Sequence, residues 1–156
     1  MRCSTVGIIS FLALSLLVAP LFAAAQPPGK LIPRIGELDV TSRAVNAHRR
    51  EALLQGLRER GWVEGQNVVI EYRSTEGKDA LLPALAAELV RLQVDVIVAR
   101  NAPATQAAMQ ATRTIPIVMA TGGHDPVEAG FVASLARPGG NVTGVSSGFG
   151  HQVSGK

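Results

Sequence analysis

The chain has a single cysteine, Cys3, among 156 residues, and it lies at the amino end ahead of an apolar run. Removal of that end on export would leave no thiol, which excludes intramolecular disulfides and thiolate catalysis. Aromatic residues make up only 4% of the chain while hydrophobic residues make up 47%. A core is therefore expected from Ala, Val, Leu and Ile. Charge is sparse at 17%, the net charge is +3, and the basic residues are scattered. No basic stripe with interleaved aromatics occurs, so no nucleic-acid partner is expected. Catalytic signatures are missing as well. There is no Gly-x-Gly-x-x-Gly after the first strand, no Gly-rich loop leading into Lys and Ser or Thr, and no serine in a nucleophile elbow. His48, His124 and His151 stand apart without metal-ligand spacing. Glu51, Glu59, Glu64 and Asp79 read as solvated faces. Neither an enzyme, a cofactor nor a metal is expected.

What is present begins with an address. Arg2 gives a short positive region, Val6 to Val18 is apolar, and Ala23-Ala24-Ala25 supplies the small residues read by a signal peptidase. The apolar run is shorter than the ~20 residues needed to span a bilayer. Residues 1–25 are expected to be a signal peptide cleaved after Ala25, and the destination a periplasm or the cell exterior. Cys3 precedes the apolar core, away from the position of a lipid-attachment cysteine. Residues 26–31, opening with Gln26-Pro-Pro-Gly29, read as a linker.

The rest is organised around Val94-Asp-Val-Ile-Val-Ala99 and the following Arg100-Asn-Ala-Pro-Ala-Thr105. Near-continuous β-branched residues suit a strand buried on both faces. Pro103 suits the first turn of a helix, and Ala104, Ala107, Ala108 and Ala111 suit tight helix packing. The same strand–loop–helix pattern recurs along the chain. Strands are expected at Arg34 to Leu38, Val68 to Tyr72, Ile115 to Ala120 and Val142 to Val145. Helices are expected from Thr41 or Ser42 to about Arg60, from Lys78 to Leu92, and over Val127 to Leu135. This alternation predicts an α/β fold, a parallel five-stranded sheet flanked by helices with right-handed crossovers.

Several stretches carry a family resemblance. They are Gly61-Trp-Val-Glu-Gly-Gln-Asn67, Ile70-Glu-Tyr-Arg73, Leu82-Pro-Ala-Leu-Ala86, Ile115-Pro-Ile-Val118, Asp125-Pro-Val127, Gly130 and Leu135-Ala-Arg-Pro-Gly-Gly-Asn-Val-Thr-Gly-Val145. In this order they resemble the substrate-binding components of ABC transporters, in the group with tryptophan- and tyrosine-binding members. The likeness covers nearly all of Ile32 to Ser147. It implies a lobe of the type I periplasmic binding fold, flavodoxin-like, with a small-molecule solute held between two lobes and an ABC permease in the inner membrane as partner. It assigns residues 32–147 to the amino-terminal lobe. Residues 148–156 do not continue the pattern, and no second lobe follows, so a truncated chain with impaired capture is the expectation.

Three loops are expected to converge at the carboxyl edge of the sheet, where open α/β sheets bind ligands. They are Leu38 to Ser42, Asn101 to Thr105 and Thr121 to Asp125. For an amino-acid-like solute, the backbone N–H groups of Ala104 and Thr105 and the Thr105 hydroxyl would meet the carboxylate at a helix amino end. Asp39 or Asp125 would face the ammonium, and Asn101 suits either group. Thr41, Ser42, Thr121 and Gly122 complete the candidate set. Plain alternatives stand beside each role. Asn101, Thr105 and Asp125 are also good helix caps. Gly122-Gly123 also suits a simple turn, and His124 a solvated loop. Other functional classes are a small exported α/β enzyme such as a hydrolase, the sensing domain of a transcription regulator, and a non-functional fragment.

Overall fold

A computed structural model describes residues 32–120 and 125–145. The expected signal peptide, the linker, Thr121 and Gly122, His124 and the tail lie outside them. Five strands form one sheet: β1 (Arg34–Asp39), β2 (Val69–Ser74), β3 (Val96–Ala99), β4 (Ile117–Met119) and β5 (Val142–Gly144). All pairs are parallel and the spatial order is β2-β1-β3-β4-β5. The helices are α1 (Ala47–Arg58), α2 (Leu82–Arg91) and α3 (Ala102–Ala111). The expected α/β sheet of five parallel strands is what forms.

The order reverses at β1. The β1-to-β2 connection runs one way across the sheet; the next two run the other way. Right-handed crossovers therefore set α1 on one face and α2 and α3 on the opposite face. Register pairs Leu38 with Ala99, Ile97 with Ile117, and Ile117 with Val142. Paired residues in a parallel ladder share a face, so these form one apolar surface. They pack with Leu82, Ala86 and Leu89 of α2 and with Ala104, Ala107 and Ala108 of α3 in one buried cluster. Burying each Leu or Ile there contributes roughly 1.5–3 kcal/mol. Gly36 faces α2, and a Cβ in its place would come within 3.1 Å of Leu89 Cδ1.

Three expected elements differ. The helix after β1 starts at Ala47 rather than at Thr41 or Ser42, and neither residue caps it. The stretch between them wraps around the Asp39 carboxylate instead. Leu53, Leu54 and Leu57 are half-buried, and no residue of α1 is fully buried. The helix from Lys78 opens as a 3-10 turn, Asp79–Leu81, before α2, and leaves Leu81 exposed. Pro83 falls in the first turn of α2, where its missing N–H costs nothing.

The helix expected over Val127 to Leu135 is absent. One turn forms, with Ala129 N donating to Asp125 O and Phe131 N to Pro126 O. Gly130 then adopts φ 70°, the left-handed conformation that ends helices. That reversal sends Phe131 into the core and leaves Leu135 72% exposed.

Candidate functional site

The strand order reverses between β1 and β3, so their following loops leave toward opposite faces, the arrangement that in open α/β sheets frames a crevice at the carboxyl edge. The residues around that crevice form one hydrogen-bonded network. Asp39 ends β1 and is 1% exposed. Its Oδ1 accepts from Val40 N at 2.7 Å, Thr41 N at 3.1 Å, Thr41 Oγ1 at 3.1 Å and Asn101 Nδ2 at 3.2 Å. Its Oδ2 accepts from Asn46 Nδ2 at 2.6 Å. Four donors crowd Oδ1 and one reaches Oδ2, all of them from the chain itself. Asp39 therefore gathers the loops and, at 1% exposure, stands behind them.

Asn101 joins the two loops. It takes an extended conformation before α3, and its Oδ1 accepts from Ala104 N at 3.0 Å. Its Nδ2 reaches Asp39. Its carbonyl accepts from Thr105 N at 2.9 Å and from Thr105 Oγ1 at 2.9 Å. Ala104 and Thr105 are fully buried. The two amides and the hydroxyl expected to meet a carboxylate are thus spent inside the helix cap, and Pro103 supplies no N–H. Capping, the plainer alternative, is what Asn101 does.

The loop after β1 is braced from the neighbouring strand. The Thr41 carbonyl accepts from Tyr72 Oη at 2.8 Å and Ser74 Oγ at 2.6 Å. Burial pushes the Tyr72 pKa up from 10.0, helped by the negative charges of Asp39 and Glu37 and opposed by the Ser74 hydrogen bond and the Arg43 charge. Its hydroxyl stays protonated, as a donor must. Arg43 lies over the Tyr72 ring at 4.8 Å from the centroid. Ser42 is half-buried, and its carbonyl accepts from Asn46 N at 3.3 Å.

Beneath the crevice lies a buried ion pair. Glu37 is 1% exposed and Arg100 is 5% exposed. Arg100 Nε donates to Glu37 Oε1 at 2.7 Å, and Nη2 donates to the same oxygen. Arg100 immediately precedes Asn101, and its backbone N donates to Leu38 O at 3.0 Å. The pair therefore clamps the root of the β3 loop onto β1. Glu37 Oε2 is buried and has no hydrogen-bond partner among the described residues.

Of the third expected wall only Asp125 lies among the described residues, and its hydrogen bonds among them stay within its own turn. Asp125 Oδ1 accepts from Val127 N at 2.8 Å and Glu128 N at 3.3 Å, capping the single turn there. Sequence reasoning missed Tyr72, Arg43, Asn46 and the Glu37–Arg100 pair. A signal for the pair was legible. Glu37 interrupts an otherwise buried strand and Arg100 follows another, and buried charges occur in pairs. No group of His, Cys, Asp and Glu suited to a metal occurs among the described residues.

Comparison with known proteins gives consistent answers. A family model described as ABC transporter substrate binding protein matches residues 40–153. A tyrosine-binding protein of Clostridioides difficile (strain R20291) is 38% identical over 97 residues, which cover 62% of this chain and 28% of that protein. A ligand-free, open substrate-binding protein with adhesive properties from Clostridium difficile superposes with a TM-score of 0.68 at 30% identity, covering 74% of this chain and 39% of that one. An ABC domain in complex with L-Trp from Streptococcus pneumoniae gives a TM-score of 0.68 at 33% identity, with 74% and 38% covered. The chain thus spans well under half the length of these relatives.

Proposed function

This chain belongs to the ABC transporter substrate-binding protein family, and we propose that it holds a small amino-acid-like solute at the carboxyl edge of β1 and β3. The observation that carries the reading is the Asp39–Asn101 bond at the point where the strand order reverses. It joins the two loops that frame the crevice in a fold of this order. Thr41, Ser42 and Asn101 line the solute's seat. Asp39, Ala104 and Thr105 lie behind them and set its shape. Asp125, on the segment after β4, is proposed for the far wall, and Thr121 and Gly122 stay sequence-level candidates outside the described residues. The Tyr and L-Trp named for two relatives make aromatic amino acids the first solutes to try.

In this reading the protein works outside the cytoplasm and hands its solute to an ABC permease in the inner membrane. It performs no chemistry on the solute. Binding would show as saturable heat in titration calorimetry of the purified chain with L-tyrosine or L-tryptophan. A panel of all the common amino acids giving no heat with any of them would end the proposal.

A further inference from the structure

The site needs a donor for the solute's carboxylate, and the obvious ones are occupied. Ala104 N is held by the Asn101 side chain, and Thr105 N and Oγ1 by the Asn101 carbonyl. Two arginines stand on the loops leaving β1 and β3. Arg100 is buried against Glu37. Arg43 is exposed, and no ion pair of Arg43 occurs among the described residues. Lys78 also lies on a loop at this edge, but that loop follows edge strand β2, two strands from β3.

Arg43 is the cation with a seat. Its guanidinium lies 4.8 Å from the Tyr72 ring centroid. The ring is itself fixed, because the Tyr72 hydroxyl donates to the Thr41 carbonyl at 2.8 Å. The same carbonyl is held a second time by Ser74 Oγ. An aromatic face orients a guanidinium without consuming its in-plane N–H donors. Those donors then match the two oxygens of a carboxylate. Two residues earlier, Thr41 binds the Asp39 carboxylate that also holds Asn101, so the Arg43 segment is tied to the crevice network.

We propose that Arg43, held on Tyr72, receives the carboxylate of the solute and so selects carboxylate-bearing solutes over the corresponding amines. The inference rests on the solute-binding reading above and adds to it the residue that sets the class of solute. It moves the anion site from the amino end of α3 to the loop after β1.

The test is calorimetric titration of the purified chain with four probes: L-tryptophan, L-tyrosine, tryptamine and tyramine. The wild type is expected to bind the amino acids about tenfold or more tighter than the amines, the scale of one hydrogen-bonded charge pair. Arg43→Gln is expected to erase that preference by weakening the amino acids and leaving the amines unchanged. Arg43→Lys is expected to keep part of it. A wild type that binds amines as tightly as amino acids overturns the proposal, and so does an Arg43→Gln chain that keeps the full preference. In both of those cases solute binding itself still stands. A wild type that binds none of the four probes removes the aromatic-solute reading and the role of Arg43 together.

Discussion

Along β1 the side chains alternate between two different environments. Gly36 and Leu38 turn toward α2 and α3, into a cluster of Leu, Ile, Ala and Met. Glu37 and Asp39 turn to the α1 side, where both are 1% exposed and bonded to polar partners. The apolar face is held by burial, which is non-directional and tolerates small shifts. The α1 face is held by directional bonds to the Glu37 and Asp39 carboxylates, and none of the residues of α1 is fully buried. One face holds the sheet together. The other fixes where the loops go, and those loops frame the proposed site.

The two faces should respond differently to substitution, and the largest effect belongs to the charged one. Arg100→Ala leaves the Glu37 carboxyl buried without its guanidinium partner, at a cost of about 3–5 kcal/mol. Replacing both residues with Met should recover much of that loss, because a buried pair contributes little over apolar residues of similar volume. Urea unfolding of the single and double variants measures both. A single variant as stable as the wild type would mean that the pair is solvated and that the contrast between faces is overstated.

On the other face, Leu89→Ala removes a fully buried side chain packed on Gly36. It should cost about 3 kcal/mol through lost burial and a residual cavity. Its effect on solute affinity should be small at temperatures where the variant stays folded. Comparing its affinity with that of Asn101→Ala sharpens the contrast. Asn101→Ala should cost only about 1 kcal/mol of stability, the worth of a helix cap, yet it breaks the link to Asp39 and should weaken solute binding more than Leu89→Ala does.

The smallest effect is a pH dependence. The Tyr72 pKa is raised above 10.0 in the folded chain, first by burial. The protonated hydroxyl is therefore favoured by folding. Its contribution is fully present below pH 10, where the unfolded tyrosine titrates, and is lost as pH rises through the higher folded value. Thermal melts between pH 8 and pH 11 (a range chosen to bracket about 10) should fall more steeply for the wild type than for Tyr72→Phe.

The strands and α3 were legible because their local patterns are strong. Val94 to Ala99 is nearly all β-branched, and Asn101-Ala-Pro-Ala carries both a cap and a first-turn proline. The start of α1 was obscured by its own polar residues. Thr41 and Ser42 look like caps, but Asp39 is nearer and captures Thr41 through N–H and hydroxyl together. The helix expected after Asp125 was undone by Gly130, whose positive φ is invisible in an apolar period. In the site, residue identity was readable and bond partners were not. Ala104 and Thr105 offer amides on paper, and only the folded cap shows them already taken.

The central claim is that a solute sits at the carboxyl edge of β1 and β3. Amide chemical shifts of the isotope-labelled chain, followed as L-tryptophan is added, test it directly. Saturable shifts are expected at residues 39–46, 100–102, 104 and 105, with the amino edge of the sheet at Ile32, Trp62 and Ile115 unmoved. Shifts confined to that amino edge would contradict the account.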